Sequence, residues 1–185
     1  MLRTLLLLFA LTPTLAAAGP ESYRLDPDRS TVGFSYDFDG ARKSGQMPVS
    51  SADLLIDLDN LPASRVLVTL NAAGARAGFI FATEAMKSRK VLYTARFPEI
   101  HFRSTRIVGD LRGAKVTGDL TVRGVTRQVV LDARLFRQRG TEPQDRRNLL
   151  VELTGAIPRS AFGANGYPNL VGDEIGLRII ARITR

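Results

Sequence analysis

Apolar and polar residues alternate along much of this chain, and the pattern is clearest between residues 116 and 135. One apolar set precedes a basic turn and a second follows it: Val116, Gly118, Leu120, Val122, then Val129, Leu131, Ala133, Leu135. Polar residues such as Asp119, Thr121 and Gln128 fill the positions between them. A period of two on both sides of a short turn predicts an antiparallel β-hairpin with one covered face.

The same alternation recurs in six further segments, which are residues 32–38, 52–58, 66–70, 100–105, 149–157 and 175–183. With the hairpin they make about eight strands, and this even spacing is typical of a β-sandwich or a β-barrel. No change of composition marks a second domain, so we predict one all-β domain over residues 19–185.

One segment departs from the period of two. Residues Ala82 to Lys90 are rich in helix formers, with Thr83 as a candidate N-cap and cations at the end. We predict one short helix here. Apolar residues flank it on both sides, so we expect it to close one end of a barrel.

The first 18 residues have the features of a secretory signal peptide. Arg3 is followed by the apolar run Leu5 to Leu11 and by three alanines that end at Ala18. We therefore expect cleavage near Ala18 and an exported protein. Cysteine is absent, so we expect a fold that relies on its hydrophobic core rather than on disulfides.

Charge and catalytic composition narrow the functional classes. The net charge is +8, but the basic residues are scattered singly along strands, which favours a solvated surface that tolerates an anionic membrane over a nucleic-acid site. The single histidine, His101, falls on the polar face of its strand, where an exposed structural role is expected. We therefore predict no catalytic residue, no metal site and no cofactor, and hence no enzyme.

Aromatic residues concentrate in the first two thirds of the chain, several of them on the apolar faces of strands. An eight-stranded barrel either fills its interior or holds one slender ligand, and burial of a lipid chain yields about 0.8 kcal/mol per CH₂. The candidate ligand-binding residues are Phe34, Tyr36, Phe38, Phe79, Phe81, Met86, Leu92, Tyr93, Phe97, Phe102, Leu120 and Val122.

The hairpin sequence from Gly118 to Val129, GDLTVRGVTRQV, resembles the G-D-L-T-[IV]-R-G-V-T-[RK]-x-V signature of the YceI family. Residues 23–34, 86–105, 159–163 and 171–175 resemble further family segments in the same order. The resemblance implies an eight-stranded antiparallel lipocalin-like barrel with a helix, located in the periplasm. It also implies that the bound ligand is a polyisoprenoid, an isoprenoid quinone or a similar amphiphile.

Some polar positions depart from the family pattern. Arg29, Phe38 and Ala85 stand where the family commonly carries histidine, so the resemblance implies an altered environment for a ligand's polar head. We expect Gly163 to adopt a positive φ in a turn, and Arg159 to pair with a carboxylate such as Asp26.

Two hypotheses follow from these patterns. In the first, the chain is a non-enzymatic lipid carrier, monomeric or weakly dimeric, which makes transient contact with an anionic membrane. In the second, it is a secreted adaptor with a packed barrel and a basic surface for a membrane or a partner protein. A hydrolase that uses His101 ranks third. The interior volume of the barrel discriminates between the carrier and the adaptor.

Overall fold

The computed structural model describes residues 19–137, 142 and 145–185, so the predicted signal peptide at residues 1–18 lies outside the described residues. The strands are β1 (Glu21–Leu25), β2 (Thr31–Phe38), β3 (Ala41–Met47), β4 (Val49–Ile56), β5 (Arg65–Asn71), β6 (Glu99–Asp110), β7 (Gly113–Val122), β8 (Val125–Arg137), β9 (Asn148–Pro158) and β10 (Glu174–Thr184). Helix α1 spans Ile80–Lys87, and short 3₁₀ turns span Leu61–Ala63 and Arg159–Phe162.

Eight of these strands close into an antiparallel barrel. Their order around the ring is β1-β4-β5-β6-β7-β8-β9-β10, and β10 returns to β1 through the pairs Arg24↔Thr184 and Leu25↔Ile183. The β2–β3 hairpin joins the sheet at β10, where Gly176–Ile180 pairs with Thr31–Ser35. The predicted eight-stranded, lipocalin-like barrel with a helix is therefore confirmed, and the sandwich alternative is excluded.

The hairpin predicted from the alternation is formed by β7 and β8. Val122 pairs with Val125 across a two-residue turn, Arg123-Gly124, in which both residues have positive φ (54° and 75°). This is the backbone of a type I′ turn, whose twist matches that of the flanking strands. Leu120 and Val129 are buried, as the pattern predicts.

The alternation pattern did not reveal β1 or β3. β1 is only five residues long. β3 carries polar or small residues at almost every position, and it forms because the Asp39-Gly40 turn directs it back along β2. Gly45 is required there, since a Cβ at this position would lie 2.2 Å from Cζ of the Phe34 ring.

The helix occurs in the predicted region with different ends. It begins at Ile80 rather than Ala82 and ends at Lys87 rather than Lys90. Thr83 is not the N-cap, because Phe79 occupies that position. The Thr83 hydroxyl instead donates to the carbonyl of Phe79 (2.9 Å) and accepts from the N–H of Ala77 (3.0 Å), which ties the helix to the preceding segment.

The apolar core is divided into clusters around the barrel wall rather than gathered into one centre. One cluster contains Ile100, Leu120 and Phe162, whereas another surrounds Leu54 and Leu149. Helix α1 belongs to a third cluster, since its Ala82 is buried with Tyr36 and Ala77 at one end of the barrel. Within the described ranges, none of the helices is long and apolar enough to cross a membrane.

Candidate functional site

The clusters surround an open interior. The barrel encloses a cavity of about 530 Å³, a volume within the usual range for small-molecule sites. Side chains alternate across each strand, so every strand of the ring contributes its apolar face to this cavity. The resulting surface is almost wholly aliphatic and aromatic, and it offers dispersion contacts to an apolar chain.

The structure brings together ten of the twelve candidate ligand-binding residues on this cavity. They are Phe34, Tyr36, Phe38, Phe79, Phe81, Met86, Leu92, Phe102, Leu120 and Val122. Strands β2, β6 and β7 and helix α1 position most of them. Their role in binding remains a prediction, whereas their common location follows from the barrel geometry.

Tyr93 and Phe97, the other two candidates, are not among the residues that line the cavity. Tyr93 has φ +51° in the turn after α1, and both Tyr93 and Phe97 are half-buried. The two rings form a T-shaped pair with their centroids 6.1 Å apart. Arg89 lies over the Tyr93 ring and Arg96 over the Phe97 ring, so both aromatics contribute to a surface stack.

Aliphatic residues of the last two strands also line the cavity but were absent from the candidates. They include Val151 and Leu153 on β9, and Ile175, Leu177 and Ile179 on β10. The alternation had already placed these side chains on one face. Aliphatic residues at inward positions therefore contribute to the lining as aromatic residues do, and alternation rather than residue type identifies them.

The cavity opens beside helix α1. Phe81 lines the cavity and is nevertheless 80% exposed, so it lies at the opening. Tyr167 and Leu170, from the loop before β10, also line the cavity and are exposed. Phe38 joins the two sides of this opening, because its ring packs edge-on against Phe79 (centroids 5.5 Å apart) and its backbone bridges to Val171.

Polar groups near the opening are engaged by the protein itself. The buried Tyr36 hydroxyl donates to the carbonyl of Ala77 (2.7 Å), and burial raises the pKa of this phenol above its ordinary value. The Tyr36 hydroxyl therefore donates to the backbone and not to a ligand in the cavity.

Three polar residues also border the cavity away from α1, although they add almost no polar surface to its lining. Ser64, Asp110 and Arg134 contribute to its lining there. The Asp110 carboxylate accepts the N–H groups of Arg112 (2.7 Å) and Gly113 (3.1 Å), and these hydrogen bonds lower its pKa. Asp110 is therefore an ionised turn residue at neutral pH.

Arg159 holds the loop that frames the opening. This buried guanidinium donates to four backbone carbonyls: those of Gly172 (2.9 Å), Gly166 (2.8 Å), Val171 (2.8 Å) and Ala164. The expected ion pair with Asp26 was wrong, since Asp26 instead contacts Arg29 at the surface. The loop folds around the Arg159 side chain, so backbone carbonyl groups of the loop accept the hydrogen bonds that a carboxylate was expected to accept.

Further hydrogen bonds close the same loop. Ser160 donates its N–H and its hydroxyl to the Asp173 carboxylate (2.9 and 2.8 Å), and these two bonds lower the pKa of Asp173. Gly163 has φ +73°, as predicted. Arg123, from the β7–β8 turn, donates to the carbonyls of Gly163 (2.9 Å) and Val91 (2.8 Å). The loop, the hairpin turn and the segment after α1 are thereby joined.

Known proteins resemble this chain in both sequence and fold. The family model of the YceI-like domain matches residues 23–182. This chain belongs to the YceI-like family. The protein YceI of Escherichia coli O17:K52:H18 is 33% identical over 123 residues, and the match covers 66% of this chain and 64% of that protein. YceI of Salmonella arizonae is 31% identical over the same length and with the same coverage. The chain thus spans slightly less than two thirds of these curated relatives.

Solved structures share the barrel. BcnA of Burkholderia cenocepacia superposes with a TM-score of 0.74 at 18% identity, covering 85% of this chain and 98% of BcnA. A polyisoprenoid-binding domain of Saccharophagus degradans, implicated in plant cell wall breakdown, gives a TM-score of 0.63 at 11% identity, covering 88% of this chain and 97% of that domain. At these identities the similarity shows a shared fold and nothing further.

Three positions of this YceI-like domain carry another residue where the family commonly has histidine. They do not lie together in the structure. Phe38 and Ala85 line the cavity, whereas Arg29 lies at the surface beside Asp26. His101 is exposed on the outer face of β6, with Nδ1 3.2 Å from the Thr69 hydroxyl. Within the described part of the chain, no group of three or more His, Cys, Asp or Glu side chains could hold a metal ion.

Proposed function

We propose that this YceI-like domain is a non-enzymatic carrier that holds one isoprenoid or other long-chain amphiphilic lipid in its barrel. The observation that carries the proposal is the apolar cavity of about 530 Å³ with an opening beside α1. A hydrocarbon chain that enters it leaves water and gains about 0.8 kcal/mol per buried CH₂. The polyisoprenoid-binding domain of Saccharophagus degradans, which has the same fold, supports this class of ligand.

The alternative hypothesis of an adaptor requires an interior packed solid. Native cores contain few voids larger than a water molecule, so a cavity of about 530 Å³ is not a packing defect. The open interior therefore favours the carrier over the adaptor.

The cavity also favours one orientation of the ligand. A polar head group buried against aliphatic side chains without hydrogen-bond partners would cost several kcal/mol. We therefore propose that the tail points inward while the head stays near the opening, where Phe81 and Tyr167 meet solvent.

Export is the remaining part of the proposal. The apolar run and the alanines of residues 1–18 support secretion to the periplasm, with cleavage near Ala18. We propose that the mature domain, as a monomer or a weak homodimer, encounters its lipid there. Cell fractionation with the N-terminal sequence of the recovered protein tests this location.

A pair of adjacent substitutions tests the carrier role. Val68 on β5 lines the cavity, whereas its neighbour Leu67 points outward and is 44% exposed. Val68→Trp fills the interior, and Leu67→Trp adds the same ring to the outer surface. Each delipidated protein is incubated with a long-chain polyprenol, and native mass spectrometry measures the bound fraction.

We expect the wild type and Leu67→Trp to retain one polyprenol each, and Val68→Trp to lose it while remaining folded by circular dichroism. Equal retention by the two tryptophan variants, or no retention by the wild type, would refute the carrier role.

A further inference from the structure

The opening of the cavity is surrounded by exposed apolar side chains. We call Phe79, Ile80, Phe81, Tyr167 and Leu170 the rim. All five are exposed, and Ile80 and Phe81 reach 71% and 80% exposure at the start of α1. Single exposed apolar residues are ordinary, but a continuous group around one opening is typical of an interaction site.

The rim is one surface rather than two. Phe38 contacts Phe79 on the helix side and bridges to Val171, which follows Leu170, on the loop side. The backbone N–H of Gly166 also donates to the carbonyl of Lys90 (2.8 Å), so the loop and the segment after α1 are joined directly.

Cations accompany the rim. The segment 76–97 contains five basic residues, Arg76, Lys87, Arg89, Lys90 and Arg96, against one acidic residue, Glu84. The Lys90 ammonium lies 5.6 Å above the ring of Tyr167, which places a positive charge directly beside the rim.

These five cations differ from several on the barrel wall. Within the described residues none of the five forms an ion pair, whereas Arg103, Lys115 and Arg178 each pair with a carboxylate of a neighbouring strand. Asp37 and Asp39 join the loop side of the opening through backbone hydrogen bonds to Gly172 and Leu170, but the positive charge of segment 76–97 is not neutralised by direct ion pairs within the described residues. It complements an anionic surface.

We propose that the rim docks on an anionic lipid bilayer, with its apolar side chains among the head groups and its cations on lipid phosphates. The proposal rests on the carrier function and identifies the surface through which lipid enters. Because the rim lies on both the helix side and the loop side of the opening, a docked domain passes a lipid chain between bilayer and cavity without exposing it to water. An apolar contact combined with basic residues is the usual basis of reversible attachment to membranes.

Ile80 provides the clearest test, because it belongs to the rim but lies outside the cavity lining. Ile80→Ser and the matched wall variant Leu67→Ser are compared by flotation with phosphatidylcholine vesicles that contain or lack phosphatidylglycerol. We expect Ile80→Ser to reduce binding to the anionic vesicles about tenfold, since one aliphatic contact is lost. Leu67→Ser should bind as the wild type does.

Charge is tested separately. The double variant Arg89→Gln/Lys90→Gln is compared with Arg65→Gln/Arg106→Gln, which removes two exposed cations from the wall. Each cation near an anionic surface contributes roughly fivefold to vesicle binding. Arg89→Gln/Lys90→Gln should therefore weaken binding to anionic vesicles more than tenfold, and Arg65→Gln/Arg106→Gln should weaken it much less. Wild-type binding should also fall as salt rises.

Retention of polyprenol without vesicles separates the two proposals. If the wild type retains polyprenol but does not float with anionic vesicles, or if Ile80→Ser floats as well as Leu67→Ser, docking through the rim is refuted and the carrier function stands. If Ile80→Ser abolishes self-association in sedimentation while vesicle binding is unchanged, the rim is a dimer contact and the docking proposal is also refuted. Rim-dependent flotation without polyprenol retention supports docking and refutes the carrier function.

Discussion

Leu120→Arg tests the inward facing of the β7–β8 hairpin. Leu120 is 8% exposed, and it packs in the cluster that contains Ile100 and Phe162. Its inward side chain borders an apolar cavity, and the Asp110 carboxylate in that lining belongs to the β6–β7 turn at the far end, where it already accepts two backbone N–H groups. The adjacent Thr121 points outward, where its hydroxyl lies 2.8 Å from that of Thr126.

The two positions therefore predict very different losses of stability. Loss of the buried leucine costs about 2–3 kcal/mol, and an unpaired buried guanidinium adds several more. For a domain of this size about 1 kcal/mol corresponds to roughly 2–4 °C in Tm, so we expect Leu120→Arg to lower Tm by at least about 10 °C. Thr121→Arg loses one exposed hydrogen bond, which amounts to about 1 kcal/mol or less.

Thermal unfolding followed by far-ultraviolet circular dichroism provides the measurement, since the chain has no tryptophan to report by fluorescence. Both variants introduce the same charge, so charge alone cannot separate them. If their Tm values agree within 2–3 °C, roughly the shift from 1 kcal/mol, the assigned facing of the hairpin is incorrect.

The remaining predictions concern the outer face, the loop and the opening. His101→Ala should leave Tm and polyprenol retention unchanged, because the ring is exposed on the outer wall; a selective loss of retention would contradict this. Ser160 holds the pKa of Asp173 below its ordinary value, so the bond stabilises the fold above about pH 4 and is lost as the pH falls further. Urea unfolding of Asp173→Asn should thus show a weaker acid dependence than the wild type, and identical profiles would exclude this contribution. Phe38→Ala and Met86→Ala should each lower the free energy of unfolding by less than the roughly 2–5 kcal/mol of core truncations, because both side chains already border a cavity. The affinity for polyprenol should change in both variants. A full core-like loss of stability with unchanged affinity would indicate a solidly packed interior.

Much of the barrel could be predicted because its strands carry their own pattern. β7, and β8 from Val129 to Leu135, carry apolar residues at every second position and enclose an Arg-Gly turn, so strand, register and facing all follow from local sequence. β3 could not be predicted in this way. Its side chains are polar or small, and it exists because β2 pairs with it and because Gly45 leaves room for the Phe34 ring.

In the candidate site, too, positions set by the local strand pattern could be predicted, whereas positions set by contacts between distant segments could not. The inward facing of Phe34 and Leu120 follows from the period of two, so their place on the cavity could be predicted. Tyr93 and Phe97 lie outside regular strands, where no periodicity indicates which way a side chain faces, and Tyr93 has a positive φ that the sequence does not reveal. The carbonyl partners of Arg159 could not be predicted either, because they depend on the path of a loop as far as Gly172.

The bonds that hold the loop around the opening involve mostly main-chain acceptors. Arg159 and Arg123 each bind carbonyl oxygens, which every amino acid possesses. A side chain such as that of Leu170 can therefore be exchanged without loss of the hydrogen bonds that shape the entrance. A scaffold of this kind lets the selectivity of the entrance diverge among homologues while its architecture is inherited unchanged.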